Sequence, residues 1–182
     1  DRASNRDLAK RIADESVILL SNPVGLLPLS RQFDRIAMVG PCVNDARAFL
    51  GCYSYPIHVL PRHQELGLGL EIETLPEAIA TALPNSTVNA IEGCPLSEID
   101  RTGIPAAVEA AENADLVIAV VGDRAGMFNK GTSGEGSDAP SLALPGVQGE
   151  LLDALLETGR PVLIVVLSGR PYALGEYADR AA

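Results

Sequence analysis

Two patterns of apolar and polar positions alternate along the chain: short runs of mostly apolar residues, and longer stretches in which apolar residues recur at helical spacing. The short runs predict strands buried in a sheet, and the longer stretches predict amphipathic helices. The predicted strands cover residues 35–40, 86–93, 115–122 and 161–169. The predicted helices cover about 5–20, 75–83, 104–114 and 145–159, with a further helix beginning near 171.

This alternation of helix and strand predicts βαβ units, and hence an α/β fold: a three-layer α/β/α sandwich with a mostly parallel sheet. Ser4 followed by Asp7 is close to a capping box for the first helix. A length of 182 residues fits one domain over 1–182. Because the chain starts without Met and stops where another strand is expected, we expect a partial domain that lacks its last strand.

Composition and charge exclude several classes of protein. With 47% hydrophobic and 21% charged residues, the chain has the composition of a globular domain and not of a disordered one. The net charge of −10, without a local cluster of Lys and Arg, would repel a phosphate backbone, so no nucleic-acid partner is expected. No apolar run approaches the roughly 20 residues that span a bilayer, so no membrane partner is expected either.

The three cysteines, Cys42, Cys52 and Cys94, are odd in number and show no C-x-x-C spacing. They predict neither a disulfide framework nor a zinc site, and we expect partly buried thiols. No metal and no cofactor is expected from the sequence. The compartment stays open, since unpaired thiols favour the cytosol slightly and do not exclude secretion.

The loop after the third predicted strand is the first place to look for a functional site. Ligands of open α/β sheets bind beyond the carboxyl ends of the strands, and each predicted strand here ends in glycine. Most connections in such folds have about 2–6 residues, whereas this loop runs from Asp123 to Leu144. A loop of this length is typically functional or disordered.

Two other chemistries find little support in the sequence. The turn after strand 35–40 reads "PCVNDA", without the G-x-G-x-x-G of dinucleotide sites, and no phosphate-binding P-loop motif occurs. A nucleotide-binding α/β domain is therefore a distant alternative. Ser133 does not lie in a G-x-S-x-G elbow, and His58 and His63 fall in an irregular stretch, so a hydrolase triad is not expected.

The loop carries a single glutamate, Glu135, in "GTSGEGSDAP". Taken alone, this residue is either a solvated surface group or a proton donor. Asp123, Arg124 and Asp138 share the loop and could contact sugar hydroxyls or one another. Glycoside cleavage normally needs two carboxylates, and a second one is not evident from the sequence. His58 is of interest because tyrosines surround it in "YSYPIH".

Several ordered motifs resemble the C-terminal α/β-sandwich domain of glycoside hydrolase family 3. They are "AKRIADESVILLSN", "GLLPL", "RIAMVGP", "LGCYSYPIH", "VVGDRAGMFNKGTSGEGSDAPSLALPGVQGELLDAL" and "PVLIVVLSGRPYAL". The resemblance covers essentially the whole chain. It implies a retaining β-glycosidase acting on terminal β-D-glucosides or β-D-xylosides, with an oligosaccharide or an aryl or alkyl β-glycoside as substrate.

The resemblance also implies a division of labour between two domains. A preceding (β/α)8 barrel of the same polypeptide carries the aspartate nucleophile, and a mobile loop of the sandwich lends the general acid/base. That glutamate matches Glu135, with Asp123, Arg124, Asp138 and His58 as candidates for substrate binding. Glycine would give the loop its reach. Without a barrel, we expect the chain alone to be inactive; a non-catalytic sugar-binding or structural module is the alternative.

Overall fold

A computed structural model describes residues 2–29, 33–69, 71–127 and 130–182. It has α1 (Ala3–Ser16), β1 (Arg35–Val39), α2 (Tyr55–His58), α3 (Leu75–Ala82), β2 (Thr87–Ile91), α4 (Ile104–Glu112), β3 (Leu116–Gly122), α5 (Gln148–Glu157), β4 (Val162–Leu167) and α6 (Gly175–Ala178). Short 3₁₀ helices cover Ala46–Phe49 and Gln64–Leu66. Residues 128 and 129 of the long loop lie outside the described residues.

The four strands form one parallel sheet in the order β2-β1-β3-β4. This arrangement confirms the predicted α/β fold, and each observed strand lies within its predicted range. Every residue of β3 is buried, because β3 lies between β1 and β4 and both of its faces are covered. Because β1 and β3 are adjacent and parallel, their carboxyl ends lie at the same edge of the sheet, and the long loop starts from this edge.

Two apolar cores lie on opposite faces of the sheet, as a layered α/β/α fold requires. Successive residues of β3 alternate between them, since side chains along a strand point to opposite faces. The first core joins Val117, Ala119 and Val121 to buried residues of α4 and α5, among them Ala107, Ala111, Leu151, Leu152 and Leu155. The second joins Leu116, Ile118 and Val120 to Phe33, Ile36, Met38, Cys42 and Val43, with α3 packed against it.

The first helix differs from its prediction at both ends. It ends at Ser16, and residue 17 adopts extended dihedral angles. The β-branched side chains of Val17 and Ile18 suit that conformation, since branching at Cβ restricts χ1 in a helix. The capping residue is Arg2, without a side-chain hydrogen bond, so the predicted capping box at Ser4 is wrong. None of the residues of α1 is buried.

The fifth helix begins at Gln148, three residues after the predicted start at Pro145. Gly146 explains the difference, because its φ of +59° lies in the left-handed region and cannot continue into a right-handed helix. The predicted last helix is short, covering only Gly175–Ala178.

The two edges of the sheet are β2 and β4. Within the described residues no strand pairs with the outer side of β4, and its residues after Val162 are only partly buried. The backbone N–H of Ala182 donates to the carbonyl oxygen of Val162 at 2.9 Å. In the part of the chain that the structure describes, no helix has the length and apolar character needed to cross a membrane.

All three cysteines are free thiols, as the sequence predicts. Cys42 and Cys94 are buried in the two cores. Burial raises the pKa of the Cys42 thiol to about 12 and that of the Cys94 thiol to about 11. Both are therefore inert packing groups at neutral pH, because the thiolate is the reactive form.

Candidate functional site

The long loop after β3 folds back on itself instead of extending from the sheet. The backbone N–H of Thr132 donates to the carbonyl oxygen of Arg124 at 2.9 Å, and that of Gly126 donates to Ser133 at 2.9 Å. Ala125 and Ser133 form an isolated parallel β-bridge. These contacts close the first part of the loop and return the chain to the end of β3.

Glu135 lies on a tight turn between two buried serines. Ser133 is 3% exposed and Ser137 8% exposed, whereas the glutamate side chain between them is exposed. The turn is closed by a hydrogen bond from the N–H of Ser137 to the carbonyl oxygen of Gly134 at 3.2 Å. The carboxylate thus projects outward from an anchored base.

The glycines on either side of Glu135 have a different role from the reach that the sequence suggests. Gly134 and Gly136 have φ values of +107° and +72°, which side chains with a Cβ rarely adopt. A Cβ on Gly134 would lie 2.3 Å from the carbonyl oxygen of Gly126. These glycines therefore allow a sharp, closely packed turn, and the anchoring of the described loop residues argues against a free arm.

Tyr53 is the hydrogen-bond partner of Glu135. Its hydroxyl donates to Oε2 of the carboxylate at 2.5 Å, although the two residues are 82 positions apart in sequence. The ring of Tyr53 stacks on that of His58, with centroids 6.3 Å apart, and Nδ1 of His58 lies 2.9 Å from Sδ of Met127. The segment around α2 is thus brought against the long loop, and Tyr53 contacts both His58 and Glu135.

The contact with Glu135 raises the pKa of the Tyr53 phenol, first through the hydrogen bond and further through the carboxylate charge, which disfavours a phenolate beside it. In a Glu135→Ala variant we therefore expect the phenol to titrate at lower pH than in the unsubstituted chain. The measurement is the ultraviolet absorbance of the phenolate during alkaline titration, with a Tyr53→Phe variant subtracted to remove the other tyrosines. Glu157→Ala, at an exposed position on α5, is the control. An unchanged titration of Tyr53 would contradict the contact.

The other predicted site residues of the loop are divided between interior and surface. Asp123 is 3% exposed, and its carboxylate accepts hydrogen bonds from the Gly169 N–H at 3.1 Å and the Tyr172 hydroxyl at 2.5 Å. Burial, and then this hydrogen bond, raise the pKa of Tyr172. The polar groups of Asp123 are thus occupied by the protein's own donors, and its role in substrate binding stays a prediction.

Among the described residues, neither Arg124 nor Asp138 forms a hydrogen bond or an ion pair with the Glu135 carboxylate. The guanidinium of Arg124 pairs with Asp45, with 2.9 Å between Nη1 and Oδ2, which ties the loop to the 3₁₀ helix Ala46–Phe49. Asp138 is exposed and lines an open depression together with Arg170 and Tyr172. Of the substrate-binding candidates, Asp138 and His58 are the exposed ones, and their role too stays a prediction.

Sequence reasoning missed Arg170 and the hydrogen bond between Tyr53 and Glu135. Arg170 follows β4, and its guanidinium donates to the carbonyl oxygens of Thr132 and Ser137 on both sides of Glu135. Its place directly after the terminal Gly169 was a usable signal, because residues that follow strand ends gather at one edge of a parallel sheet. For Tyr53 the sequence offered only a neighbourhood rich in tyrosine.

The arrangement can hold, donate and accept one proton at Glu135. An exposed carboxyl group with one oxygen bound by Tyr53 leaves Oε1 for a ligand. No second carboxyl group hydrogen-bonds to it among the described residues. Within the same residues, no three His, Cys, Asp or Glu side chains come together as a metal site.

Comparison with known proteins identifies relatives of this chain. The model of the glycosyl hydrolase family 3 C-terminal domain matches residues 17–182. A β-xylosidase of Formosa agariphila is 32% identical over 96% of this chain and 23% of its own length. A periplasmic β-glucosidase of Salmonella typhimurium is 34% identical over 93% of this chain and 23% of its own length. The chain therefore spans less than a quarter of these relatives.

Solved structures show the same fold. A β-glucosidase from Listeria innocua in complex with isofagomine matches with a TM-score of 0.76 and 24% identity, over 99% of this chain and 22% of that structure. A family 3 exo-β-xylosidase, XlnD, in complex with a xylobiose aziridine probe matches with a TM-score of 0.73 and 22% identity, over 97% of this chain and 20% of that structure.

Proposed function

Since the chain belongs to the family of glycosyl hydrolase family 3 C-terminal domains, we propose that it is one domain of a longer retaining β-glycosidase and supplies Glu135 as the general acid/base. Residues 1–182 are then a single, partial sandwich domain. The nucleophile and most of the sugar pocket come from a (β/α)8 barrel that precedes it in the same polypeptide. The observation that carries the proposal is the exposed Glu135 carboxylate on a turn whose neighbouring serines are buried.

Glu135 acts twice in this reaction. Protonated, it donates its proton to the glycosidic oxygen as the bond from C1 to that oxygen breaks, while the barrel carboxylate forms an ester at C1. Ionised, it then takes a proton from water as that water attacks C1 and releases the nucleophile. The two carboxyl groups must lie about 5–5.5 Å apart for this outcome, so an anchored turn at the domain surface suits the role.

The contacts of Glu135 fit a carboxyl group with one free oxygen. Tyr53 binds Oε2, and its hydroxyl donates to the ionised form that the second half of the reaction requires. Oε1 then faces the substrate. His58 and Asp138 are the exposed candidates for sugar contacts, whereas Asp123 is buried and the guanidinium of Arg124 is paired with Asp45.

The substrate class follows from the relatives, which are named as β-xylosidases and β-glucosidases. We extend these names to the proposal that the parent enzyme removes terminal non-reducing β-D-glucosyl or β-D-xylosyl residues. The pocket that discriminates glucosides from xylosides lies mostly in the barrel.

An exposed apolar surface supports contact with further polypeptide. The residues of α1 and of the segment after it expose large apolar side chains that this chain leaves uncovered: Leu8, Ile12, Val17, Ile18, Leu19, Leu20 and Val24. Contiguous apolar surface of this kind typically marks an interface. A purely structural or sugar-binding module would need such a surface as well, so catalysis must be tested at Glu135 itself.

Azide provides the test in a Glu135→Ala variant of the full-length enzyme. Azide is already an anion, so it attacks C1 of the glycosyl ester without a base and releases the nucleophile carboxylate. We expect it to accelerate turnover of an aryl β-glycoside with a good leaving group and to yield the β-glycosyl azide, identified by nuclear magnetic resonance. The isolated chain of 182 residues, as a control, should release no aryl alcohol above background.

Three outcomes would contradict the proposal. Wild-type rates in the variant would indicate a non-catalytic module. Absence of acceleration by azide would remove the base role from Glu135. An α-configured azide would exclude a retaining mechanism, because retention results from two successive inversions at C1.

A further inference from the structure

One guanidinium nitrogen joins both ends of the turn that carries Glu135. Nη2 of Arg170 donates to the carbonyl oxygen of Thr132 and, at 2.7 Å, to that of Ser137. The first carbonyl precedes Glu135 and the second follows it. Hydrogen bonds from a charged donor are roughly twice as strong as neutral ones. Arg170 therefore closes the base of the turn without touching the carboxylate.

Arg170 is itself held by buried groups. Its side chain is 18% exposed, and its Nε lies 4.0 Å from Oδ2 of Asp123, which is 3% exposed. Asp123 accepts hydrogen bonds from the Gly169 N–H and from the Tyr172 hydroxyl, so its carboxylate is fixed at the end of β4. The guanidinium thus connects a rigid strand end to the turn, and its charge is balanced by Asp123.

The turn also packs directly on the backbone before Arg170. A Cβ added to Gly169 would lie 2.8 Å from Oγ and 3.2 Å from Cβ of Ser133. This close approach brings the backbone of residue 170 next to the turn, so the arginine folds over a short distance and reaches two carbonyl groups at once. A lysine ammonium lacks the planar guanidinium, whose fixed geometry directs the two N–H groups of one nitrogen at the two carbonyl oxygens.

We propose that Arg170 is a positioning residue that holds the turn of residues 132–137, and through it the Glu135 carboxyl group, in the geometry needed for proton transfer. The inference rests on the proposed role of Glu135 as acid/base. Displacement of a reacting group by about 1 Å can cost about 10²-fold in rate. Loss of Arg170 leaves the proton donor present but poorly placed, so the turnover number should fall and KM should change little.

The test uses Arg170→Met and Arg170→Lys in the full-length enzyme, with aryl β-glycosides of graded leaving-group pKa. We expect Arg170→Met to lower kcat/KM by about 30- to 100-fold for the poorest leaving group and by less than about 5-fold for the best, because kcat/KM reports the step in which the leaving group departs. Arg170→Lys, which keeps the charge but not the planar arrangement of donors, should lie between this variant and the wild type. Arg160→Met is the matched control, because Arg160 also donates to a backbone carbonyl, that of Glu112, but remote from the turn.

A double-variant cycle shows whether Arg170 acts through Glu135. If it does, Arg170→Met should add less than about 3-fold to the loss already caused by Glu135→Ala, since coupled residues are non-additive. A full additive loss, an equal loss for all leaving groups, or failure of both Arg170 variants to fold would overturn the inference and assign the residue to general stability. If Glu135→Ala alone lowered kcat/KM equally for all leaving groups, the proposed function itself would be contradicted.

Discussion

Replacing Glu135 with alanine in the full-length protein is expected to lower kcat/KM for β-glycosides with poor leaving groups by about 10²- to 10⁴-fold. For an aryl group whose phenolate is very stable, the loss should be less than about 10-fold, because its departure needs little protonation. The measurement is a plot of log kcat/KM against leaving-group pKa, which should become steep in the variant. The reason is the proposed acid/base role of the exposed carboxylate on the anchored turn.

Two other carboxylates serve as controls for this experiment. Asp138→Ala removes an exposed carboxylate from the same loop, and Glu157→Ala removes one from α5. Glu157→Ala should leave kcat and KM unchanged. Asp138→Ala should raise KM with an unaltered leaving-group slope if Asp138 contacts the sugar. A uniform loss across the series for Glu135→Ala, or a steep slope for Asp138→Ala, would move the acid/base role away from Glu135.

Much of the sheet could be predicted from sequence, and the reason is burial. Leu116–Gly122 is buried throughout, so its residues form an uninterrupted apolar run that stands out from its surroundings. Helix ends were harder to predict, because they depend on single backbone conformations. Gly146 at φ +59° moves the start of α5 to Gln148, and the pattern of apolar positions holds no trace of that angle.

The candidate site was predictable in part, and the limit is distance along the chain. The unusual length of the loop and the family resemblance both pointed to Glu135. Its partner Tyr53 is 82 positions away, and Arg170 reaches the turn from the end of another strand. Such contacts arise from the order of strands in the sheet, which spacing within one segment does not contain. The same limit explains Asp123, which was a candidate for sugar contacts although its side chain is buried.

A buried amide fixes the point where the loop begins. Gln148 is 0% exposed, and its side chain accepts a hydrogen bond from the N–H of Gly122 at 2.7 Å and donates to the carbonyl oxygen of Gly122 at 3.0 Å. The same amide donates to the carbonyl oxygen of Leu96 at 2.8 Å. Buried backbone groups outside the ladder need such partners. The end of β3 is therefore held firmly, and the geometry of the turn with Glu135 depends on it.

Replacing Gly122 with alanine is expected to destabilise the chain by about 4 kcal/mol. Gly122 has φ +118°, and an added Cβ would lie 2.0 Å from the carbonyl oxygen of Leu167 on β4. The substitution would therefore force β3 and β4 apart where the loops with Asp123 and Arg170 begin. The free energy of unfolding is measured by urea denaturation followed by circular dichroism.

Gly159→Ala separates backbone strain from this steric clash. Gly159 also has a positive φ, +69°, but an added Cβ there would meet no atom within 4 Å. It should cost only about 1 kcal/mol, the strain of a left-handed residue with a side chain. Equal losses of stability for the two variants would show that the strand ends separate freely. In that case the contact between β3 and β4 could not fix the position of Glu135, and the anchored turn would lose its physical basis.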